Sequence, residues 1–511
     1  MFGLFKRKKS RSKDSPGRAN HAPEDGVLSS SLAKNVQTME EIFKDVDTLR
    51  SRYIENTHSK ELRCRIFYFD GVVNCELINE HIIKPLMISE AKPSGGNVVI
   101  NQIVQIDESK ITDQFCDIVE AITYGNTVLF IEGQDKAVLL NTKNFSTRSV
   151  DEPDNEKVLL GPREGFTESM MQNLSLIRRR ALTPDLKMKN KILGTRTKTK
   201  VCVCYMDSIV NRKALDELNS RLEKIDIDAV LDSNYISELT RDAPWSPFPT
   251  VGYTERPDVV LGKLMEGRIA VFVDGSPVVM TLPYLFIENF QSSEDYYMHY
   301  YYASIARLLR IVAYLLTISV PALYISIGAF HHEMFPLQLF ISIATDRKSV
   351  PLPAAIEALV MLIVFDILRE TGARMPSTIG SALSIVGALV IGQAAVDAKL
   401  VSAPMVIIIA LTGITSLLVP KLNTSSMIIR VVLLLFSSMF GFFGYMVGIS
   451  FFVTHILNLR SFGVPQIMLS RKLKYQNVKD SFMRAPWWQM INRPRFAADA
   501  VRQKNKGGSR D

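Results

Sequence analysis

What most constrains this chain is where its charge stops. Charged residues are dense up to about Arg310; beyond it come long runs with none, such as Ile311 to His332 and Val431 to Leu459. Uncharged apolar runs of about 20 residues are what crossing a bilayer core requires. The 47% hydrophobic content over 511 residues therefore averages a soluble half with a membrane half. A chain this long also exceeds one core, so several domains are expected. The predicted fold class is an α/β soluble N-terminal region of two related subdomains, followed by an all-α multi-span membrane domain. Expected boundaries are a disordered basic arm at 1–30, subdomains at 31–155 and 160–300, membrane helices at 305–460 and a basic tail at 461–511.

The two-subdomain reading rests on an internal repeat. Arg65 to Asn74 (RIFYFDGVVN) resembles Val203 to Asn211 (VCYMDSIVN), each a strand-like run ending in Asp-x-x-Val-Asn before an amphipathic helix. Gly125 to Gly133 (GNTVLFIEG) likewise resembles Gly267 to Gly275 (GRIAVFVDG), each a strand followed by an acidic-Gly hairpin turn. Upstream, Val36, Met39, Ile42, Phe43, Val46 and Leu49 have helical spacing, predicting a helix over 32–53. The second subdomain carries an insertion at 241–250. Its Pro244, Pro247 and Pro249 forbid helix or central strand, predicting a packed loop pinned by Trp245 and Phe248.

The net charge of +8 comes from 60 basic against 52 acidic side chains, concentrated at Lys6–Arg18, Arg178–Lys200 and Arg460–Arg510. Basic flanks beside apolar spans suit a cytoplasmic membrane face. Nucleic-acid binding needs aromatic platforms or a reader fold, and neither is present. The basic N-terminus lacks a following apolar segment, so it is not a signal peptide, and the soluble half is expected in the cytoplasm. All five cysteines lie there without zinc spacing, with Cys202 and Cys204 on one strand face, as reduced core thiols. No phosphate-binding, hydrolase, kinase or metalloprotease motif occurs, so no catalytic, cofactor or metal site is assigned and an enzyme is not expected. Asp70 and Asp207 read as turn residues.

In the membrane half, the tyrosines at 296–297 and 300–302 suit an interfacial belt. Spans are predicted near 308–330, containing Pro321, and at 379–396, 403–420 and 431–455. Phe335–Thr345 is too short to cross. Ala354–Leu368 carries Glu357 and Asp366, with Arg369 and Glu370 at its end, and must face a polar cavity or the interface. The count is four to six, and the basic tail favours an even number. Arg369 and Arg374 are candidate partners for Glu357, Asp366 or Glu370, with Gly372, Pro376 and Gly380 as flex points. The 379–396 helix presents Ser381, Ser384, Ala388, Gly392 and Ala395 on one small-residue face, with Gln393 near its end and Asp397 beyond. Tight helix packing and a narrow pore both suit that face, and they are compatible if the packing is between subunits.

Two stretches carry a family resemblance. One runs from Arg241 (RDAPWSPFPT) to Tyr297 (ENFQSSEDYY). The other runs from Arg369 (RETGARMPSTIG) through Ile385 to Ala395 (IVGALVIGQAA) and on to Ser402. Both resemble the A subunits of GerA-type spore germination proteins, and the resemblance extends over about 35–485. It implies a nutrient-germinant receptor subunit in the inner membrane of the spore, with its N-terminal region cytoplasmic. It also implies a transporter-like B partner that binds nutrient, a lipoprotein C partner, and homo-oligomerisation into a nutrient-gated ion channel. A secondary transporter is the rival class, but it predicts a repeat in the membrane half, whereas the repeat here is in the soluble half. A non-conducting scaffold is the third.

Overall fold

A computed structural model describes residues 26–58, 62–89, 103–106, 108–144, 156–374, 390–467, 480–490 and 492–493. Its N-terminal half contains two five-stranded antiparallel sheets. The first uses β1 (Leu49–Glu55), β2 (Arg63–Phe69), β3 (Ser109–Thr112), β4 (Thr127–Ile131) and β5 (Ala137–Leu140) in the order β1-β2-β4-β5-β3. The second uses β6 (Leu186–Leu193), β7 (Thr199–Met206), β8 (Gly252–Thr254), β9 (Ile269–Val273) and β10 (Val279–Leu282) in the order β6-β7-β9-β10-β8. Advancing each strand of the first sheet by five reproduces the second. The repeat is structural.

Its residues have matching local duties. Asn74 accepts from the Glu76 and Leu77 N–H groups, and Asn211 accepts from that of Ala214, so each caps the helix after its strand. Gly133 and Gly275 close the β4–β5 and β9–β10 hairpins at φ 79° and 90°, where a Cβ is strained. Both central strands, β4 and β9, are buried at every position because helices cover both faces. In the second sheet, Val201, Val203 and Val271 face Ala214, Leu218 and Leu222, whereas Cys202, Cys204 and Phe272 face Leu174 and Leu264. Cys202 Sγ and Cys204 Sγ lie 3.7 Å apart, buried.

The sheets dock directly. Val46 bridges Met188, and the buried Arg178 guanidinium sits 4.5 Å from the Phe69 ring centroid and donates to the Thr183 and Leu186 carbonyls. Burial pulls its pKa down to about 10.

Two expectations change here. The helix predicted over 32–53 ends at Ile42 as α1 (Leu32–Ile42): Asp45 adopts a left-handed φ of 64°, and Leu49 begins edge strand β1. Leu28, assigned to the arm, is already buried in the first core. Residues 1–25 lie outside the described residues.

Between and around the strands run α2 (Cys75–Ile78), α3 (Lys84–Ile88), α4 (Phe115–Thr123), α5 (Met170–Arg180), α6 (Arg212–Glu223), α7 (Ser233–Thr240) and α8 (Pro257–Leu264). The C-terminal half is helical: α9 (Tyr300–Phe330), α10 (Leu337–Lys348), α11 (Ala354–Arg374), α12 (Ala403–Leu417) and α13 (Asn423–Asn458). Tyr300–Phe330 and Pro420–Asn458 are long and apolar enough to cross a membrane.

The span predicted at 431–455 is not one crossing. Gly441, at φ 60° and ψ −140°, breaks α13 into stretches 423–440 and 442–458, each about 26 Å long at 1.5 Å per residue. They fold back on each other. A Cβ on Gly448 would lie 2.7 Å from Leu433 Cδ2, although a straight helix would separate those residues by about 22 Å. A Cβ on Gly444 would strike the Phe436 carbonyl, and one on Gly441 would meet the Phe330 ring. Glycines 441, 444 and 448 therefore let the hairpin close. Its tip lies at the far end of α9, and both its feet, through Ser425 and His455, stand on the 241–250 insertion. The chain thus enters and leaves the helices at one end.

Candidate functional site

Function in a two-part molecule concentrates where the parts join, and here the insertion at 241–250 forms the joint. Prolines cannot donate a backbone hydrogen bond, but their carbonyls still accept. Ser425 Oγ donates to the Pro247 carbonyl, and Gln466 Nε2 donates to that of Pro249 at 2.7 Å. Ser246 Oγ and His455 Nε2 are 2.9 Å apart. Phe248 is 2% exposed and packs edge-on against Phe286. Trp245 does not pin the loop: it is 97% exposed, next to the exposed Pro244, at an apex closed by Arg241 donating to the Pro244 carbonyl.

Beside the loop, charge is buried in quantity. Arg307 is fully buried at the base of α9, donating to Asp295 at 2.8 Å and to Asp480 at 2.9 Å; Arg310 shares Asp295 at 3.0 Å. Asp480 also accepts from Tyr296 Oη at 2.9 Å, and burial together with Asp480 pushes that phenol well up. Arg484 donates to the Met298 carbonyl at 3.1 Å. Segment 480–490 is therefore clamped to the foot of α9.

A second cluster joins Glu288, 5% exposed, to Arg268 and Lys263, the lysine at 3.1 Å. Burial drives the Glu288 carboxyl up, but Arg268 and Lys263 outweigh it and leave the pKa below the usual range. Burial lowers Lys263, Glu288 pulls it back, and Arg268 and Lys421 push it down further. A cavity of roughly 830 Å³ opens between these groups and the α12–α13 connection.

The helical part buries polar and charged groups among its apolar clusters and is apolar outside. Glu357, 1% exposed, accepts from both the Ser402 N–H and Oγ at 2.6 Å. Asp366 pairs with Arg369 at 3.1 Å and with the fully buried Arg430. Thr317 Oγ1 donates to Thr415 Oγ1 at 2.9 Å, and Ser437 donates to the Ala322 carbonyl. Ile407, Met439, Phe443 and Phe451 face outward, each about two-thirds exposed or more. An outward apolar face, with charges kept inside and partnered, is the arrangement hydrocarbon favours.

Of the charged residues singled out by sequence, Arg374 pairs with Glu370 at 2.7 Å on the surface, and Asp397 is exposed. Sequence reasoning missed Arg430, Asp295 and Asp480, whose pairings are tertiary and leave no spacing to read. On the small-residue helix, Gly392 is buried with its absent Cβ 3.5 Å from Val406 Cγ1, Ala395 packs near α12, and Gln393 is exposed. Ser381, Ser384, Ala388, Pro376 and Gly380 lie outside the described residues; Gly372 lies within α11. Among the described residues, no group of three or more His, Cys, Asp or Glu could hold a metal ion.

Residues 37–496 match the family model described as Bacillus/Clostridium GerA spore germination protein. Spore germination protein KA of Bacillus subtilis (strain 168) is 40% identical over 93% of this chain and 89% of its own. Spore germination protein B1 of the same organism is 32% identical over 93% of this chain and 100% of its own. The uncharacterized membrane protein YfkQ, also from B. subtilis, is 43% identical over 84% of each chain. The crystal structure of the N-terminal domain of the A subunit of the Bacillus megaterium spore germinant receptor GerK3 aligns at 30% identity and a TM-score of 0.41, covering 51% of this chain and 98% of that one.

Proposed function

Because the chain belongs to the Bacillus/Clostridium GerA spore germination protein family, we propose that it is the A subunit of a nutrient-germinant receptor and that its helices assemble into a nutrient-gated ion channel. In this reading the helices cross the inner membrane of the spore, the two sheets stand on the cytoplasmic side, and a transporter-like B subunit and a lipoprotein C subunit complete the receptor.

The observation that carries the reading is that the helical part buries the charges Glu357 and Arg430, the latter paired with the half-buried Asp366, while apolar side chains face outside. Isolated helices rarely retain such charges unless they line or gate a polar path. The helix through Gly392, Gln393 and Ala395 supplies the pore-facing element, with small side chains permitting close approach between copies. Nutrient bound to a partner changes conduction only by contacting the closed and open arrangements differently. The clamp of Asp295, Arg307 and Asp480 is the place where sheet movement reaches α9.

Reconstitution in a planar bilayer tests the proposal. Single-channel current that Gly392→Leu or Ala388→Leu abolishes supports it. A chain that inserts but never conducts, alone or with its partners, leaves a scaffold instead.

A further inference from the structure

The cavity at the sheet–helix junction has an unbalanced wall. Each of its carboxylates is already engaged. Glu156 accepts from Thr254 Oγ1 and from the Glu255 N–H, and Asp258 accepts from Arg256 at 2.9 Å and Tyr297 Oη at 2.6 Å. Glu288 holds Arg268 and Lys263, and Glu266 lies 3.4 Å from Arg268. The cations are not matched in the same way. Arg310 must share Asp295 with Arg307, and Lys421 makes no ion pair among the described residues. Lys421 nonetheless stands close enough to act on Lys263 through charge alone, pushing that ammonium further down. The surplus facing the cavity is positive.

Position decides which anion suits that surplus. Leu418, Pro420 and Lys421 form one rim of the cavity, at the sheet end of the helices. Leu418 is 51% exposed, and on the adjoining last turn of α12 Ile414 and Leu417 are 65% and 63% exposed. A molecule with an anionic phosphate head and an apolar tail can therefore put its head among Lys421, Lys263 and Arg310 and lay its tail along α12. A free phosphate matches only the first half of that surface. Cations at a bilayer's edge favour anionic headgroups.

We propose that this cavity is a binding site for the phosphate headgroup of an anionic phospholipid, wedged between the second sheet and the feet of the helices. The proposal rests on the helices crossing a membrane and is independent of whether they conduct. Occupation would tie the second sheet to the α12–α13 connection.

Trp487 lines the cavity and provides the readout. The other two tryptophans, Trp245 and Trp488, are exposed, so a W245F/W488F chain isolates its emission. The full chain in neutral detergent is titrated with short-chain phosphatidylglycerol, short-chain phosphatidylcholine and inorganic phosphate. A saturable change with phosphatidylglycerol, at least tenfold weaker with phosphatidylcholine or phosphate, is expected. Lys421→Glu should weaken it tenfold or more, and Lys421→Gln by less. Lys421 is exposed, so both variants should elute and melt like the parent; if either does not, native mass spectrometry of retained phosphatidylglycerol on Leu418→Asp replaces it. An equal response to phosphate makes the site a free-anion site and overturns the lipid assignment. A response to no lipid, or one unmoved by Lys421→Glu, overturns the proposal altogether.

Discussion

The two sheets share a strand order and cap their helices with the same residue type, yet they do different work. Among the described residues, the first sheet's contacts run to its own helices and to its twin, through Val46, Phe69 and Arg178. The second carries the joint to the helical part: Phe248, Glu288 and Tyr284 all belong to it or to its extensions. The difference lies where the repeat breaks. The insertion at 241–250 and the segment after β10 are the portions that grip α9 and α13. Of two copies of one fold, it is the second that, among the described residues, carries the joint to the helices.

Four experiments can break or sharpen that contrast. The largest effect is expected from Arg307→Met, which leaves Asp480 without its cation and Asp295 with Arg310 alone, and should cost up to about 3–5 kcal/mol. Thermal unfolding of the detergent-solubilised chain measures it; a loss below about 1 kcal/mol would mean the clamp is ornamental. Phe248→Ala comes next, at about 3–5 kcal/mol less any relaxation of the site, whereas Trp245→Ala in the same loop should stay within about 0.5 kcal/mol. Equal effects from the two aromatics would refute the packing described for the insertion.

Glu288 gives a pH test. Its folded pKa lies below its unfolded one, so its contribution is complete above the unfolded value and disappears as pH falls through the folded value. Glu288→Gln should therefore flatten the acid limb of the stability curve below about pH 4.3 and lower stability at pH 7. An unchanged limb would place the acid sensitivity elsewhere. The smallest effect compares the copies directly. Asn74→Ala and Asn211→Ala should each cost about 1 kcal/mol, with Asn74 the larger because it accepts two N–H groups against one. The reverse order, read from denaturant midpoints, would undo the equivalence of the caps.

Much of the soluble half was legible because its signals are local. Asp-x-x-Val-Asn marks a strand end and a cap within a few residues, and an acidic-Gly pair marks a hairpin turn. The helix at 32–53 misled because Val46 and Leu49 continue a helical spacing that the left-handed Asp45 interrupts. The hairpin within 423–458 was hidden for a different reason. Hydropathy records how apolar a run is and not its direction, so two antiparallel passes read as one. The only local trace is Gly441, Gly444 and Gly448 at steps of three and four. The pairing of Arg369 with Asp366 follows from one helix turn, but Arg430 reaches Asp366 from 64 positions away, and no spacing rule finds it.

One detail near the exit of the helices bears on how such a molecule is assembled. Ser461 Oγ accepts from the Tyr284 N–H at 2.9 Å and donates to the Thr250 carbonyl at 2.6 Å, while Phe462 fills the second sheet's core. Residues 177 positions apart are thus neighbours. The last piece of that domain reaches the ribosome's exit only after helices α9 to α13 have been made. The second domain cannot finish folding during synthesis of the N-terminal half; it stays open until those helices have been made, and Phe462 then closes it.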